Sequence, residues 1–150
     1  MNTPKKQMPD AHNKSDYDDV IETVFDYVYG VATNDWARIQ RAYDVPKAQM
    51  KLITGEPGAE KVFVIPIEQV WEKIWSTLPA NPDHTAEIIS VSVYENRIAI
   101  VVLNNNGRYF DQLSLYKVNN RWSIYDKLSR QIDGGHIPEA DMIAAFGPQP

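Results

Sequence analysis

Tyr17, Val20, Ile21, Val24, Phe25, Val28 and then Val31 or Ala32 recur at intervals of three and four, the mark of one apolar helical stripe about four turns long. Ser15 is placed to cap that helix, with Asp18 as a shortened capping-box partner. Asp16, Asp18 and Asp19 stand in the first turn, where the helix dipole favours negative charge. The pattern predicts a helix that starts at Ser15, behind a disordered tail over residues 1–15. Thr33 and Asn34 interrupt the stripe. Asn34 or Asp35 then caps a short second helix whose Trp36, Ile39, Ala42 and Tyr43 share a face, and Val45-Pro46 ends it because a residue before proline avoids helical angles.

Residues 50–53 and 61–65 read as two short strands joined by Gly55-Glu56-Pro57-Gly58, a plausible hairpin. Pro66 opens a third helix, in which Ile67, Val70, Trp71, Ile74, Trp75 and Leu78 keep helical spacing up to Pro79. From Thr85 the period drops to two. Residues 87–94 and 97–104 flank Glu95-Asn96, a two-residue link that would set Ile89, Val91 and Val93 against Val102, Ile100 and Ile98. Asn104-Asn105-Asn106-Gly107 turns the chain again, and residues 108–118 and 122–130 form a further pair around Asn119-Asn120. After Gly134-Gly135, Pro138 starts a short helix with Met142, Ile143 and Phe146 as its stripe, which is expected to cover either the mouth of the fold or a partner subunit.

Three apolar helix faces that share one curved sheet have few compact arrangements, of which a cone with an internal cavity is one. The chain resembles the nuclear transport factor 2-like superfamily, and within it the SnoaL-like and "putative lumazine-binding" group, over residues 17–130. The residues that carry the likeness are the Asn34-Asp35 turn, the strand Tyr109-Phe110-Asp111-Gln112-Leu113-Ser114-Leu115, and the hairpin Lys117-Val118-Asn119-Asn120-Arg121-Trp122-Ser123-Ile124-Tyr125-Asp126-Lys127. Asn119-Asn120 departs from the family's usual Asp-Gly type of turn, and the stretch after Arg130 has no counterpart in it. The resemblance implies an α+β roll of the cystatin-like kind: about six antiparallel strands in a cone-shaped curved sheet wrapped around three helices. It further implies a homodimer formed through the outer sheet faces, with a mouth that in some relatives holds a small hydrophobic or aromatic ligand. The expected division is a tail at residues 1–15, the domain at 16–130 and a C-terminal extension with a short helix at 131–150.

Composition narrows the function classes. The chain has 150 residues, 43% hydrophobic and 23% charged, the proportions of one ordinary folded domain. A net charge of -5 with scattered Lys and Arg argues against nucleic acid as a partner. No apolar run approaches the ~20 residues that span a bilayer, and the polar N-terminus lacks a signal-peptide core, so no membrane partner and a cytoplasmic location are expected. The absence of cysteine removes disulfides, thiolate ligands and a cysteine nucleophile. His12, His84 and His136 are far apart and lack metal-ligand spacing, and no phosphate-binding glycine loop or nucleophile elbow occurs, so neither metal nor cofactor is expected.

The candidate chemistry gathers on the strand that begins at Tyr109, where Asp111, Gln112 and Ser114 lie among Phe110, Leu113 and Leu115 and need partners or a cavity if both sheet faces are covered. A plain turn at Asn119-Asn120 pairs Gln112 with Lys127 and Ser114 with Tyr125, whereas a bulged turn brings Asp111 or Leu113 beside Lys127. Asp111 is a candidate base or ligand acceptor and Lys127 a candidate holder of an anionic group; the alternative for both is a structural ion pair. Asp44 is a second candidate carboxylate, and Tyr27, Tyr29, Tyr43, Tyr109 and Tyr125 supply phenols for an oxyanion. Trp36, Trp71 and Trp75 lie on apolar helix faces and read first as core, with Trp75 also a candidate for the ligand wall together with Tyr27, Tyr43, Tyr109, Asp111, Gln112, Ser114 and Lys127. The leading functional expectation is a small-molecule-binding protein. Its alternatives are a cofactor-free isomerase, cyclase or dehydratase, and a non-catalytic dimeric interaction module.

Overall fold

The computed structural model describes residues 10–150, with side chains from Asp16 onward. The expected tail lies outside the described residues over its first nine positions, while residues 10–15 already belong to the first helix. That helix, α1, runs Asp10–Ala32, so Ser15 stands inside it rather than capping it. Asp16 is an anchor: it is buried, and its Oδ1 accepts from Lys117 Nζ and Trp122 Nε1, each at 2.8 Å. It thereby ties the start of α1 to the far end of the last hairpin. Asn34 takes a left-handed conformation (φ 58°) beyond the helix end, and Asp35 caps α2 (Trp36–Ala42) by accepting from Arg38 N.

Six strands form one open mixed sheet in the order β2-β1-β6-β5-β4-β3. They are β1 (Gln49–Thr54), β2 (Lys61–Pro66), β3 (Ala86–Tyr94), β4 (Ile98–Asn105), β5 (Tyr109–Val118) and β6 (Arg121–Gln131). β1 runs parallel to β6 and every other pairing is antiparallel. Helices α1, α2 and α3 (Ile67–Lys73) cover the concave face, where Val20, Val24, Val28, Ile39, Ile67 and Val70 meet Ala99, Val101, Leu103, Leu113, Leu115 and Ile124, all buried.

The third helix is shorter than its periodicity predicts. Ile74 leaves helical geometry (φ -123°, ψ -68°) and a single 3₁₀ turn, Trp75–Thr77, replaces the last turn. Ser76 and Thr77 hydroxyls bond back to the carbonyls of Glu72 and Ile74, in competition with the regular ladder. The Asn34 amide donates to the carbonyls of Trp75, Ser76 and Leu78 at 3.2–3.3 Å. This clamp turns Trp75 inward, away from Trp71, which stacks on Trp36.

Pairing also departs from the simplest hairpins. Glu95 and Asn96 both adopt positive φ, yet Arg97 adds a residue to the link, so Tyr94 pairs with Ile98 and Val91 and Val93 meet Val101 and Ala99 instead of Ile100 and Ile98. Ile89 is bulged between Ile88 and Ser90. The Asn119-Asn120 turn is a plain two-residue one with both residues left-handed (φ 53° and 63°), a conformation asparagine tolerates better than most residues. The β5–β6 register nevertheless shifts, because Tyr125 bulges in mid-strand: Leu115 pairs with Ile124 but Ser114 with Asp126. Lys127 therefore stands beside Leu113, and Asp111 beside Ser129.

The C-terminal extension lies against this framework. Its helix α4 (Glu139–Phe146) buries Met142 in the core, the Thr54 hydroxyl donates to the Ile137 carbonyl, and Gln149 Oε1 accepts from Val64 N on the edge strand β2.

Candidate functional site

β5 alternates strictly once folded: Asp111, Leu113 and Leu115 face inward and are fully buried, while Phe110 and Gln112 are exposed. A carboxylate thus occupies a core position. Burial of an isolated carboxylate is prohibitive unless donors replace its water. Asp111 has four. Its Oδ2 accepts from the Tyr27 hydroxyl at 2.7 Å and from Asn105 Nδ2 at 2.9 Å, and its Oδ1 accepts from the Ser129 hydroxyl at 2.6 Å with Lys127 Nζ at 3.5 Å. The network continues outward, since Asn105 Nδ2 also reaches Tyr27 Oη at 3.0 Å and Asn105 Oδ1, left as acceptor, meets His84 Nε2 at 2.6 Å.

Lys127 is only 5% exposed along its side chain, and its ammonium makes a different set of contacts. Besides Asp111 it has Met50 Sδ at 3.6 Å and the ring faces of Tyr27 and Trp75, each centroid at 5.9 Å. Tyr43 closes the aromatic group, with its ring edge-on to Tyr27 (5.5 Å) and tilted to Trp75 (6.2 Å). Its buried hydroxyl has no hydrogen-bond partner among the described residues.

These residues floor a cavity of about 850 Å³, within the range of small-molecule sites. Val31, Leu52, Val70, Ile74 and Trp75 supply apolar wall, and Tyr109, Arg108, His84 and Asn81 stand toward the strand ends. His136, Ile137, Pro138 and Asp141 add a wall from the C-terminal extension, whereas Met142, Ile143 and Phe146, the stripe expected to cover the mouth or a partner subunit, do not line the cavity. Among the described residues no group of His, Asp and Glu has an arrangement suited to a metal ion, and no helix is long and apolar enough to cross a membrane.

The structure gathers Tyr27, Trp75, Tyr109, Asp111 and Lys127 of the expected site residues around the cavity and sets Tyr43 directly behind it. Gln112 and Ser114 are corrections: strand alternation points them to the outer face, where Gln112 pairs with Leu128 and Ser114 with Asp126. Asp44 is another. Beside Tyr43 on an extended segment bridging Ile124, it accepts from the Tyr116 hydroxyl and is absent from the cavity wall. Tyr116 in turn stacks on Tyr125, and its phenol is pushed up to about 12, by desolvation first and then by the bond to Asp44. Asn105, Ser129 and His84 were not legible as site residues, because only the strand pairing brings them to Asp111.

Burial raises the Tyr27 phenol well above its ordinary range, with the Asp111 charge adding to the effect; burial and then Asp111 do the same to Tyr43. Both rings are thus held neutral, and Tyr27 serves as a donor to Asp111. A group whose pKa rises on folding contributes stability below its unfolded pKa and loses it as pH climbs through the folded value. Stability is therefore expected to fall above about pH 10, the unperturbed tyrosine value, and absorbance titration should show Tyr27 and Tyr43 ionising only as the protein unfolds. Ionisation of every tyrosine near pH 10 in folded protein would contradict this burial. Replacing Asp111 by Asn puts an NH2 among donors and strips Lys127 of its counter-charge, so denaturant titration of Asp111→Asn should show a loss of about 3–5 kcal/mol; a loss under 1 kcal/mol would mean that the carboxylate does not organise the site.

Comparison with known proteins places this geometry. No curated protein matches the chain in sequence. Among solved structures, a nuclear transport factor 2-like protein of unknown function from Silicibacter pomeroyi is 19% identical, with a TM-score of 0.67, covering 80% of this chain and 98% of its own. One from Shewanella baltica is 17% identical, with a TM-score of 0.68 over 89% of this chain and 100% of its own. The association domain of C. elegans CaMKII shares the fold at 12% identity, with a TM-score of 0.57 over 80% of this chain and 98% of its own. The sequence pattern of the family described as "putative lumazine-binding" matches residues 15–129, and the chain belongs to that family and has the fold of the nuclear transport factor 2-like proteins.

Proposed function

We propose that the chain is a small-molecule-binding protein whose ligand occupies the cone cavity, and that Asp111 organises this site without acting as a base. The carrying observation is the saturation of Asp111. A carboxylate offers about four lone-pair directions; Tyr27, Asn105 and Ser129 take three by hydrogen bonds, and the Lys127 ammonium, 3.5 Å from Oδ1, holds the remaining side as an ion pair. None is left to accept a substrate proton. Asp44, the other candidate base, is engaged by Tyr116 away from the cavity. The acid/base reading is thus less well supported than binding to a preformed pocket with aromatic walls. The test is the thermal stability of the protein against a panel of small metabolites. A ligand present at 100 times its Kd should stabilise the fold by about 2.7 kcal/mol. If the panel, extended to flat aromatic compounds, raises the melting temperature with no member, the binding reading fails.

For assembly, the supporting feature is the outer sheet face. Ile98, Ile100, Phe110 and Val118 are between 37% and 55% exposed there, an apolar surface on adjacent strands. We infer that two copies associate through it, and a solved protein of the same fold is described as an association domain. Sedimentation should give a dimer for the native chain and a monomer for the double variant Ile100→Lys, Phe110→Glu. A native chain that sediments as a monomer across micromolar concentrations would rule the assembly out.

A further inference from the structure

On the cavity floor, the buried Lys127 has unused hydrogen-bonding capacity. An ammonium has three N–H donors, and the only oxygen near Nζ among the described contacts is Asp111 Oδ1 at 3.5 Å, longer than a good charge-assisted bond. The remaining partners are a thioether sulfur at 3.6 Å and two ring faces at 5.9 Å, which stabilise a cation but accept weakly. Asp111 cannot move closer without leaving its three shorter bonds to Tyr27, Asn105 and Ser129. Lys127 thus projects donors that the protein leaves for an oxygen from outside.

The charge balance limits what that oxygen belongs to. Asp111 and Lys127 cancel, and the next cation along the wall, Arg108, already faces Asp133 at 3.4 Å. The two histidines of the wall, His84 and His136, likewise face Asn105 and Glu56, so a full anion placed on Lys127 would be buried close to the Asp111 carboxylate while the wall's other basic groups are engaged elsewhere, a costly arrangement in a desolvated site. An uncharged carbonyl oxygen takes the N–H bond without that repulsion. The adjoining walls are flat and apolar, built from Trp75, Val31, Ile74 and Leu52, and match a planar ring system.

We propose that the cavity recognises an uncharged planar ligand through a ring or ring-attached carbonyl oxygen that accepts a hydrogen bond from Lys127, with the ring against Trp75. This rests on the small-molecule-binding reading above and adds the chemical class of the ligand. It also revises the sequence expectation that Lys127 would hold an anionic group.

Three probes of one shape separate the possibilities: 2-acetylnaphthalene, 2-naphthoate and naphthalene, titrated calorimetrically into the native protein and into Lys127→Met, a side chain of similar length without donors. The ketone is expected to bind the native chain at least about tenfold more tightly than naphthalene, the return of one hydrogen bond to a charged donor, and more tightly than the carboxylate. Lys127→Met should erase the ketone's advantage over naphthalene. Tightest binding by 2-naphthoate, or an undiminished ketone preference in Lys127→Met, would overturn the proposal while the binding reading survives. Failure of all three probes to bind, with other panel compounds still stabilising the fold, would overturn the planar-carbonyl assignment alone; failure of the entire panel would remove both. Should Lys127→Met not fold, the ranking of the three probes on the native protein decides, together with the carbonyl carbon resonance of 13C-labelled ketone, which must move downfield on binding.

Discussion

The Asp111 carboxylate is the constraint around which the rest of this molecule is arranged. It sits fully buried at the centre of a curved sheet, where an unpaired charge would cost more than a domain of this size has in net stability. Its four partners come from three elements: Tyr27 on α1, Asn105 at the end of β4, and Ser129 and Lys127 on β6. Tyr27, the one partner on α1, reaches the carboxylate with the end of its phenol at 2.7 Å, which spaces the helix from β5 at this point. The opening between them is a consequence of that spacing. A leucine at this position would favour collapse of α1 onto β5; the carboxylate and its polar partners keep the cone open on that side.

Much of this arrangement is legible in the sequence. The α1 stripe places Tyr27 seven residues after Val20, on the same buried face, so its inward direction follows from helical spacing alone. In β5 the set Asp111, Leu113, Leu115 repeats with period two, and reading it as an interrupted strand obscures that Asp111 takes a core position. Gln112 and Ser114 leave the site for the same reason, because a residue next to an inward one must point outward.

The part that sequence could not supply is the mid-strand bulge at Tyr125. Before it, the even-numbered Trp122 and Ile124 face the core; after it, the odd-numbered Lys127 and Ser129 do. Without the extra residue Lys127 and Ser129 would lie on the outer face, and Asp111 would lose half its donors. A bulge formed by a tyrosine leaves no compositional mark of the kind glycine or proline leaves, and its presence depends on pairing with β5 and β1 together. The break after Ile74 is similar: it arises from Asn34, forty residues earlier in the chain, capturing carbonyls that a continuous helix would have carried further.

The C-terminal extension gives the cavity two separate origins. The floor, from Tyr27 to Ser129, falls within the residues that the family pattern matches, whereas the wall made by His136, Ile137, Pro138 and Asp141 lies beyond its end at residue 129. Membership of the family therefore covers the part of the pocket that holds the buried Asp111 network. One side of the outline is written in residues 130–150, which the family pattern does not cover, so two members with the same floor can differ in the shape of the pocket by a change in this segment alone.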